Sequence, residues 1–211
     1  MELGGGECPD EPVAAFIDHL MTKGEELLKE LKTPKTLIVF DFGGGTCDVA
    51  LFRLEKSTDD ELLVSTLAVS RYHRLGGGDI DAAIVHEVLL PQLREQNNLT
   101  EFDLSFTEKK MVIEPALLGV AEQLKIGLSD EIRRLQAFSA FDQADKSQVI
   151  KTAPGGHKLK VGERELTLVS PKLTAAAFEA LLEPFFDQDL LYARETDYRM
   201  TCSIFAPLKD V

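Results

Sequence analysis

The segment TLIVFDFGGGTCD, residues 36–48, decides the fold prediction for this chain. Its apolar run, residues 37–40, is typical of a buried strand, and the three glycines that follow end the strand in a turn. Further apolar runs at residues 49–54 and 62–69 predict two more strands. Residues 36–82 are therefore predicted to form a strand meander.

The turn lies between two carboxylates, Asp41 and Asp48. The glycines at 43–45 have no Cβ, so they can adopt a positive φ and let backbone N–H groups approach a phosphate, and Thr46 adds a hydroxyl donor. Two carboxylates beside a phosphate require an attacking water or a divalent cation, for which Mg²⁺ is the natural choice. The motif is not a P-loop, because GxxxxGK[ST] does not occur. A tight hairpin without a ligand is the alternative interpretation.

A second glycine loop, LGGGD at residues 75–79, precedes a predicted helix. The N–H groups at a helix start, with Asp79 as the predicted cap, favour a sugar hydroxyl or a phosphate. Pro91 is expected to kink or end this helix. A capped strand-to-helix connection without a ligand is the alternative for this loop.

The next predicted helix covers residues 106–128, with Thr107 as its cap and Pro115 within it. Its apolar stripe consists of Leu117, Ala121, Leu124 and Leu128. Beside the stripe, Glu122, Lys125 and Ser129 follow at helical spacing and form a polar strip suited to a ribose and a base. A solvated helix face with one Glu/Lys pair is the alternative interpretation.

The rest of the chain alternates between helical and strand-like patterns. Helices are predicted over residues 12–24, 25–31 and 174–183, and strand-like runs occur at 135–141, 148–152 and 165–169. Glycine-rich turns separate these runs, which predicts a separate antiparallel sheet. The predicted fold class is therefore α/β, with a mixed sheet and crossover helices plus a helix-and-hairpin unit.

Composition restricts the partners. Thirty-six acidic and 23 basic side chains give a net charge of −13, which argues against nucleic acid and against an anionic membrane as partners. The sequence has no apolar stretch long enough to span a bilayer, so a cytoplasmic location is expected. Three separated cysteines and four scattered histidines favour neither a disulfide framework nor a zinc site.

Together these motifs resemble the ATPase domain of the seventy-kilodalton heat-shock chaperone (DnaK-type) family, in the actin-like ATPase superfamily. The matching segments are EPVAA at 11–15, DFGGGTCD at 41–48, LGGGDID at 75–81 and EQLKIGLS at 122–129, with LTAAAFEALL at 173–182 as a fainter fifth. Their order and approximate spacing carry the resemblance. It implies an actin-like lobe in four parts, namely residues 1–35, the meander 36–82, an inserted helix and β-hairpin subdomain 83–172, and return helices 173–211.

The resemblance also implies roles for individual residues. Glu11 would help to place the attacking water, Asp41 would hold that water or the Mg²⁺ shell, and Asp48 would act through Mg²⁺-bound water. The implied nucleotide contacts are Gly43, Gly44, Gly45 and Thr46 for the β and γ phosphates, Gly76 and Gly77 near ribose and phosphates, and Glu122, Lys125 and Ser129 for the adenosine. Two positions depart from the family pattern: Ile126 stands where an adenine-stacking arginine is common, and Gly78 replaces an acidic residue.

The implied cofactors are ATP or ADP and Mg²⁺, and the implied partners are the other lobe, a peptide-binding domain, unfolded peptides and co-chaperones. Only one of the two lobes that enclose the nucleotide is recognisable, so we expect this chain alone to bind nucleotide weakly and to hydrolyse almost none. Whether it acts as an enzyme is left open by the sequence. Two alternatives remain, a filament-forming or shape-determining actin-like ATPase and a degenerate scaffold without activity.

Overall fold

The computed structural model of the protein describes residues 11–192, 194–196 and 199–211. The chain folds into two compact units. The first holds the described residues up to Gly76 together with Ile204–Val211, and the second is Gly77–Ser203. The division at residues 35, 82 and 172 expected from the resemblance stays a prediction; the boundary between the compact units lies inside its second segment.

The first unit is built from one long helix and a three-stranded sheet. Helix α1 spans Glu11–Glu30, and the strands are β1 Lys35–Phe42, β2 Cys47–Lys56 and β3 Leu62–Val69, in the order β1-β2-β3. The three predicted strands of the meander are thus confirmed, whereas residues 77–82 at the end of its predicted range are helical. The prediction of two helical pieces was wrong, because α1 runs through Gly24. A single helical glycine costs only about 1 kcal/mol, and the apolar stripe of α1 packs on the sheet along its length.

The core of this unit lies between α1 and one face of the sheet. The ring of Phe16 on α1 stacks on that of Phe52 on β2, with 4.1 Å between ring centroids. Leu31, Ala50 and Leu54 complete the buried cluster. Alternate residues along each strand face α1, as the period of two in a strand requires.

The expected mixed sheet with crossover helices was wrong for the described residues. Every strand pair in this part of the chain is antiparallel. The physical reason is that short turns join β1 to β2 and β2 to β3, whereas a parallel pair needs a crossover connection of a dozen or more residues.

The second unit begins with two helical stretches that share an unusual feature. The first consists of α2 Gly77–Ile84, a π-helical turn Val85–Leu89 and α3 Leu90–Gln96; the second consists of α4 Phe106–Glu108, a π-helical turn Lys109–Ile113 and α5 Glu114–Ala137. Each π turn ends two residues before a proline, Pro91 or Pro115. Proline has no N–H to donate to the preceding turn, and the wider turn accommodates this loss without ending the helix.

The helix starts differ from the predicted ones. Helix α2 begins at Gly77, so Asp79 lies in its first turn and is not the cap. Ser105, not Thr107, caps α4, because Ser105 and Glu108 form a reciprocal capping box. The predicted apolar stripe of α5 is confirmed, since all four of its members are buried.

Short strands and helices complete the second unit. After 3₁₀ turns at Glu101–Asp103 and Phe141–Gln143 come β4 Ile150–Thr152, β5 Gly156–Val161, β6 Arg164–Val169, β7 Lys172–Thr174, α6 Ala175–Leu182, a 3₁₀ turn Glu183–Phe186, β8 Arg194–Thr196 and β9 Arg199–Thr201. The last helix, α7 Ala206–Asp210, belongs to the first unit. The strand predicted at 135–141 was wrong, because α5 continues to Ala137.

The predicted single antiparallel sheet is two separate pairs, β4 with β7 and β5 with β6. Strands β8 and β9 form a further pair later in the chain. Strand β5 was not predicted. None of the helices in the described part of the chain combines the length and hydrophobicity needed to cross a bilayer. Cys47 and Cys202 are both buried.

Candidate functional site

The glycine turn joins β1 to β2 as a hairpin and places its two carboxylates side by side. Asp41 and Asp48 are direct cross-strand partners, followed by Phe42 and Cys47 as the last pair before the turn. The N–H of Gly43 donates to the carbonyl of Thr46 at 2.9 Å and closes the turn. Because directly opposed residues have adjacent side chains, the hairpin presents two like charges next to the glycines.

The glycines of this turn do not use the positive φ that their lack of a Cβ would allow. Among the described glycines, positive φ occurs at Gly155 and Gly162, and none of the glycines 43–45 adopts it. The turn therefore does not need glycine for its backbone angles. What remains is the lack of side chains: a Cβ on Gly44 or Gly45 would meet nothing within 4 Å, so the outer surface of the turn is open.

Gly76 packs directly against this turn. A Cβ on Gly76 would lie 2.5 Å from the nitrogen of Gly45, 2.6 Å from the carbonyl carbon of Gly44 and 2.7 Å from the carbonyl oxygen of Gly43. These are backbone atoms, so no side-chain rotation would relieve the overlap. The second glycine loop therefore buttresses the first. Any residue type other than glycine at position 76 would clash with the backbone of the turn.

The hairpin is also held by contacts among Cys47, His73 and Asp210, which the sequence did not single out for this purpose. The N–H of Cys47 donates to the carbonyl of His73 at 3.0 Å. The Nε2 atom of His73 lies 2.9 Å from Oδ2 of Asp210, and both side chains are largely buried. These contacts join the hairpin, the loop before Gly76 and α7 within the first unit.

A cavity of about 250 Å³ opens beside the hairpin. Its lining consists of Glu11, Pro12, Thr46, Asp48, Val69, Ser70 and Tyr72. Glu11 and Asp48, for which the resemblance implies a part in placing water, thus line one cavity of the first unit together with Thr46, an implied phosphate contact. Asp41 is not part of the lining, although it is the cross-strand partner of Asp48.

The predicted polar strip lies on α5 in the second unit. Lys125 is turned toward α2: its ammonium donates to Oδ2 of Asp81 at 2.8 Å and to the carbonyl of Gly77 at 3.1 Å. Two of the three lysine donors are therefore taken by the protein. Glu122 is exposed and Ser129 is half-buried.

Asp81 is the acidic partner that sequence reasoning missed. Burial raises the pKa of its carboxyl, the hydrogen bond and charge of Lys125 act in the opposite direction, and the charge of Glu122 adds to the rise. Its Oδ1 atom is buried without a hydrogen-bond partner, so Lys125 satisfies only one of the two oxygens. The signal in the sequence was the acidic residue two positions after Asp79.

A shallow cavity of about 440 Å³ lies along α5 next to the strip. Its lining consists of Gly119, Glu122, Gln123, Ile126, Gly127 and Lys151. Glu122 is the predicted adenosine-contacting residue that lines this cavity, and Ile126 presents a side chain that is 53% exposed.

Comparison with known proteins decides the family. A model of the Hsp70 protein family matches residues 10–153. The chain belongs to the Hsp70 family. This match covers all four stronger motifs, namely EPVAA at 11–15, the hairpin, the second glycine loop and the polar strip of α5.

Three bacterial chaperones illustrate the relationship to the Hsp70 family. The chaperone protein HscA of Photorhabdus laumondii is 28% identical over 185 residues, which cover 88% of this chain and 22% of that protein. The chaperone protein DnaK of Mycoplasmopsis pulmonis is 36% identical over 123 residues, or 58% of this chain and 17% of that protein. An HscA homologue of Aliivibrio fischeri is 33% identical over 121 residues, or 57% and 16%. The chain thus spans between 16% and 22% of the length of these relatives.

The hairpin of this Hsp70 chain has the donor set that Mg²⁺ prefers. Asp41, Asp48 and Thr46 offer only oxygen atoms. Within the described ranges neither carboxylate has a hydrogen-bond or ion-pair partner, and no group of three or more His, Cys, Asp or Glu side chains is arranged to hold a metal. Mg²⁺ keeps several waters and is often held by one or two carboxylates plus phosphate. Two unpaired carboxylates beside an open glycine turn fit this mode of binding.

Proposed function

We propose that this chain is part of the nucleotide-binding domain of an Hsp70-type chaperone, with the β1–β2 hairpin for the phosphates and Mg²⁺ and with α5 for the adenosine. The observation that carries the proposal is the facing pair Asp41 and Asp48 on a glycine turn that Gly76 buttresses. Two like charges held opposite each other are destabilising without a cation. A ligand that brings positive charge would explain why two carboxylates stand beside an open backbone turn.

The proposed roles follow from these positions. The open glycines 44 and 45 let phosphate oxygens reach the backbone of the turn, and the Thr46 hydroxyl adds a donor. When bound, Mg²⁺ would neutralise the charge on the phosphates. Glu11 and Asp48, which line one cavity, would orient water there. Gly77 and Ser129 are proposed contacts at the ribose and the adenosine, while Lys125 has one donor left for a ligand after binding Asp81 and Gly77.

Hydrolysis of ATP, peptide binding and co-chaperone partners are proposed for the whole protein, because the chain spans only 22% of the length of its HscA relative in Photorhabdus. Phosphoryl transfer depends on positioning and on charge neutralisation from several groups. We therefore propose that this chain alone binds nucleotide weakly and turns over almost none. A cytoplasmic location and the lack of nucleic-acid or membrane partners remain predictions from the sequence.

A titration of the ¹⁵N-labelled chain with ADP tests the proposal. In the presence of Mg²⁺, ADP should shift the amide signals of the turn, and chelation of Mg²⁺ should weaken binding. Asp48→Asn should weaken Mg·ADP binding about tenfold or more, since a charge-assisted contact contributes about 1.5 to 3 kcal/mol. Asp18→Asn, an exposed acidic residue on α1, is the matched control and should bind like the unmodified chain.

Two results would contradict the proposal in different ways. If ADP at millimolar concentration shifts no signal, the chain is a scaffold that has kept the Hsp70 fold without its ligand. If the purified chain hydrolyses Mg·ATP and Asp41→Asn abolishes that hydrolysis, the proposed inactivity of the chain alone is wrong.

A further inference from the structure

Lys151 is a positively charged residue that is not among the proposed nucleotide contacts. It lies on β4 and lines the cavity along α5. Its ammonium makes no hydrogen bond or ion pair with any residue in the described part of the chain. The nearby Glu131 is taken by Arg134, whose nitrogens donate to its two oxygens at 3.0 and 2.6 Å. The hydrogen bond from Arg134 and, to a smaller degree, the charge of Lys151 lower the pKa of Glu131. The ammonium donors of Lys151 remain available to the cavity, which Glu122 also lines.

The position of Lys151 depends on a glycine in the middle of α5. A Cβ on Gly127 would lie 2.5 Å from Cε, 3.1 Å from Cδ and 3.1 Å from Nζ of Lys151. The lysine side chain thus occupies the space that any other residue at 127 would fill. Glycine inside a helix costs about 1 kcal/mol relative to alanine, and here the missing Cβ lets Lys151 lie flat on the helix, beside Ile126.

The cavity has the surface chemistry of a purine site. Gly119, Ile126 and Gly127 form a low apolar wall, while Glu122 and Gln123 offer groups for hydroxyls and amines. The lysine ammonium can donate to ring nitrogens or lie over the face of an aromatic ring. A volume of about 440 Å³ is within the usual range for a small-molecule site.

We propose that Lys151 is a base-contacting residue of this chain and that, together with Ile126, it forms the surface on which the base lies. The inference rests on the proposed nucleotide-binding function. Ile126 supplies the apolar contact and Lys151 supplies the positive charge from a different strand. The ligand is the purine ring of a nucleotide, and Gly127 holds the lysine in place by leaving room for it.

The test is a titration of the full ¹⁵N-labelled chain with Mg·ADP, and with Mg·pyrophosphate as a probe that lacks the base. Lys151→Gln should weaken Mg·ADP binding about three- to tenfold, as expected for a partly exposed cation beside a ring, and leave pyrophosphate binding unchanged. Gly127→Ala should cause a similar loss, because its methyl group displaces Lys151 without removing the charge. Lys160→Gln is the control, an exposed lysine on β5 outside the cavity lining.

The outcomes separate this inference from the function on which it rests. Equal binding of Mg·ADP by the unmodified chain and Lys151→Gln overturns the base contact and leaves the proposed function intact. A loss for pyrophosphate as large as that for ADP also overturns it, since the lysine would then act on phosphate. If the unmodified chain binds no ADP, the proposed function and this inference fail together. A melting temperature of Lys151→Gln equal to that of the unmodified chain shows that the loss of binding is not a loss of folding.

Discussion

Asp41 and Asp48 face each other across the β1–β2 ladder, on either side of the glycine turn. Opposed like charges destabilise a strand pair by about 0.2 to 1 kcal/mol. Asp41→Asn should therefore raise the free energy of unfolding by that amount in urea titrations with chelator present, and should reduce the stabilisation that Mg·ADP brings. Asp18→Asn should change neither quantity. If Asp41→Asn lowers the free energy of unfolding in the absence of ligand, the two carboxylates do not repel each other in the way proposed.

Gly76→Ala should damage the hairpin, because the new methyl group would overlap backbone atoms of Gly43, Gly44 and Gly45. Overpacking of this kind costs about 1 to 3 kcal/mol, and the loss should appear in urea unfolding. Gly44→Ala is the matched control, since its Cβ would meet nothing within 4 Å. We expect Gly44→Ala to keep nearly full stability yet bind Mg·ADP more weakly, because its methyl group stands on the surface that phosphate would approach. A stable Gly76→Ala variant would refute the buttressing contact.

The hairpin could be predicted from sequence because its signals are local. Apolar runs ended by glycines identify β1 and β2, and the register follows from a four-residue turn. The contact between Gly76 and the turn could not be predicted. The sequence shows that residue 76 is a glycine, but it does not show which backbone segment packs against that glycine. The pair His73 and Asp210 is 137 residues apart in the chain, and nothing short of the fold brings the two together.

Other misses have specific physical causes. The prolines at 91 and 115 are strong helix-breaking signals, yet a π turn before each proline lets the helix continue. No residue pattern in the sequence predicts a π turn. Strand β5 alternates Lys158 and Lys160 with Leu159 and Val161, which is a strand pattern, but it lies between glycine-rich turns and was not predicted. The Lys125 partner was missed because the side chain points to α2 instead of to solvent.

Lys125→Met should cost stability in a pH-dependent way. Burial raises the pKa of Asp81 and Lys125 opposes that rise. A raised pKa in the folded state means that protonated Asp81 favours the fold at acid pH, and this contribution is lost as pH rises through the folded pKa. Without Lys125 the pKa rises further, so the cost of keeping Asp81 ionised grows.

We expect a loss of about 1 to 3 kcal/mol for Lys125→Met near pH 7. The loss should shrink as the pH is lowered toward the ordinary range of aspartate, and urea unfolding at several pH values measures it. Lys160→Met, on an exposed site, should show no such dependence. A loss that is constant between about pH 4.5 and 7 would mean that Lys125 acts through packing and not through the charge of Asp81.

Asp210→Ala should loosen the hairpin through His73. The change removes the partner that lies 2.9 Å from Nε2 of a largely buried ring, which costs about 1 to 3 kcal/mol. Because the carbonyl of His73 accepts the N–H of Cys47, the Cys47 amide should exchange with deuterium faster. Lys209→Ala, the exposed neighbour on α7, should leave both the stability and this exchange rate unchanged.

Two glycines of α5 differ in what surrounds them, and alanine substitution should separate them. Gly119 has open space where a Cβ would be, so Gly119→Ala should gain the full helix preference of alanine, about 0.5 to 1 kcal/mol. Gly127→Ala gains the same preference but must displace Lys151, whose Cε lies 2.5 Å from the new methyl group. The end of a lysine side chain is flexible, so we expect the displacement to offset part of the gain and leave Gly127→Ala less stabilising than Gly119→Ala in thermal unfolding. Combining Gly127→Ala with Lys151→Ala should restore the full gain, because the atoms that obstruct the methyl group are then gone. Equal stabilisation by the two single variants would show that Lys151 does not rest on α5.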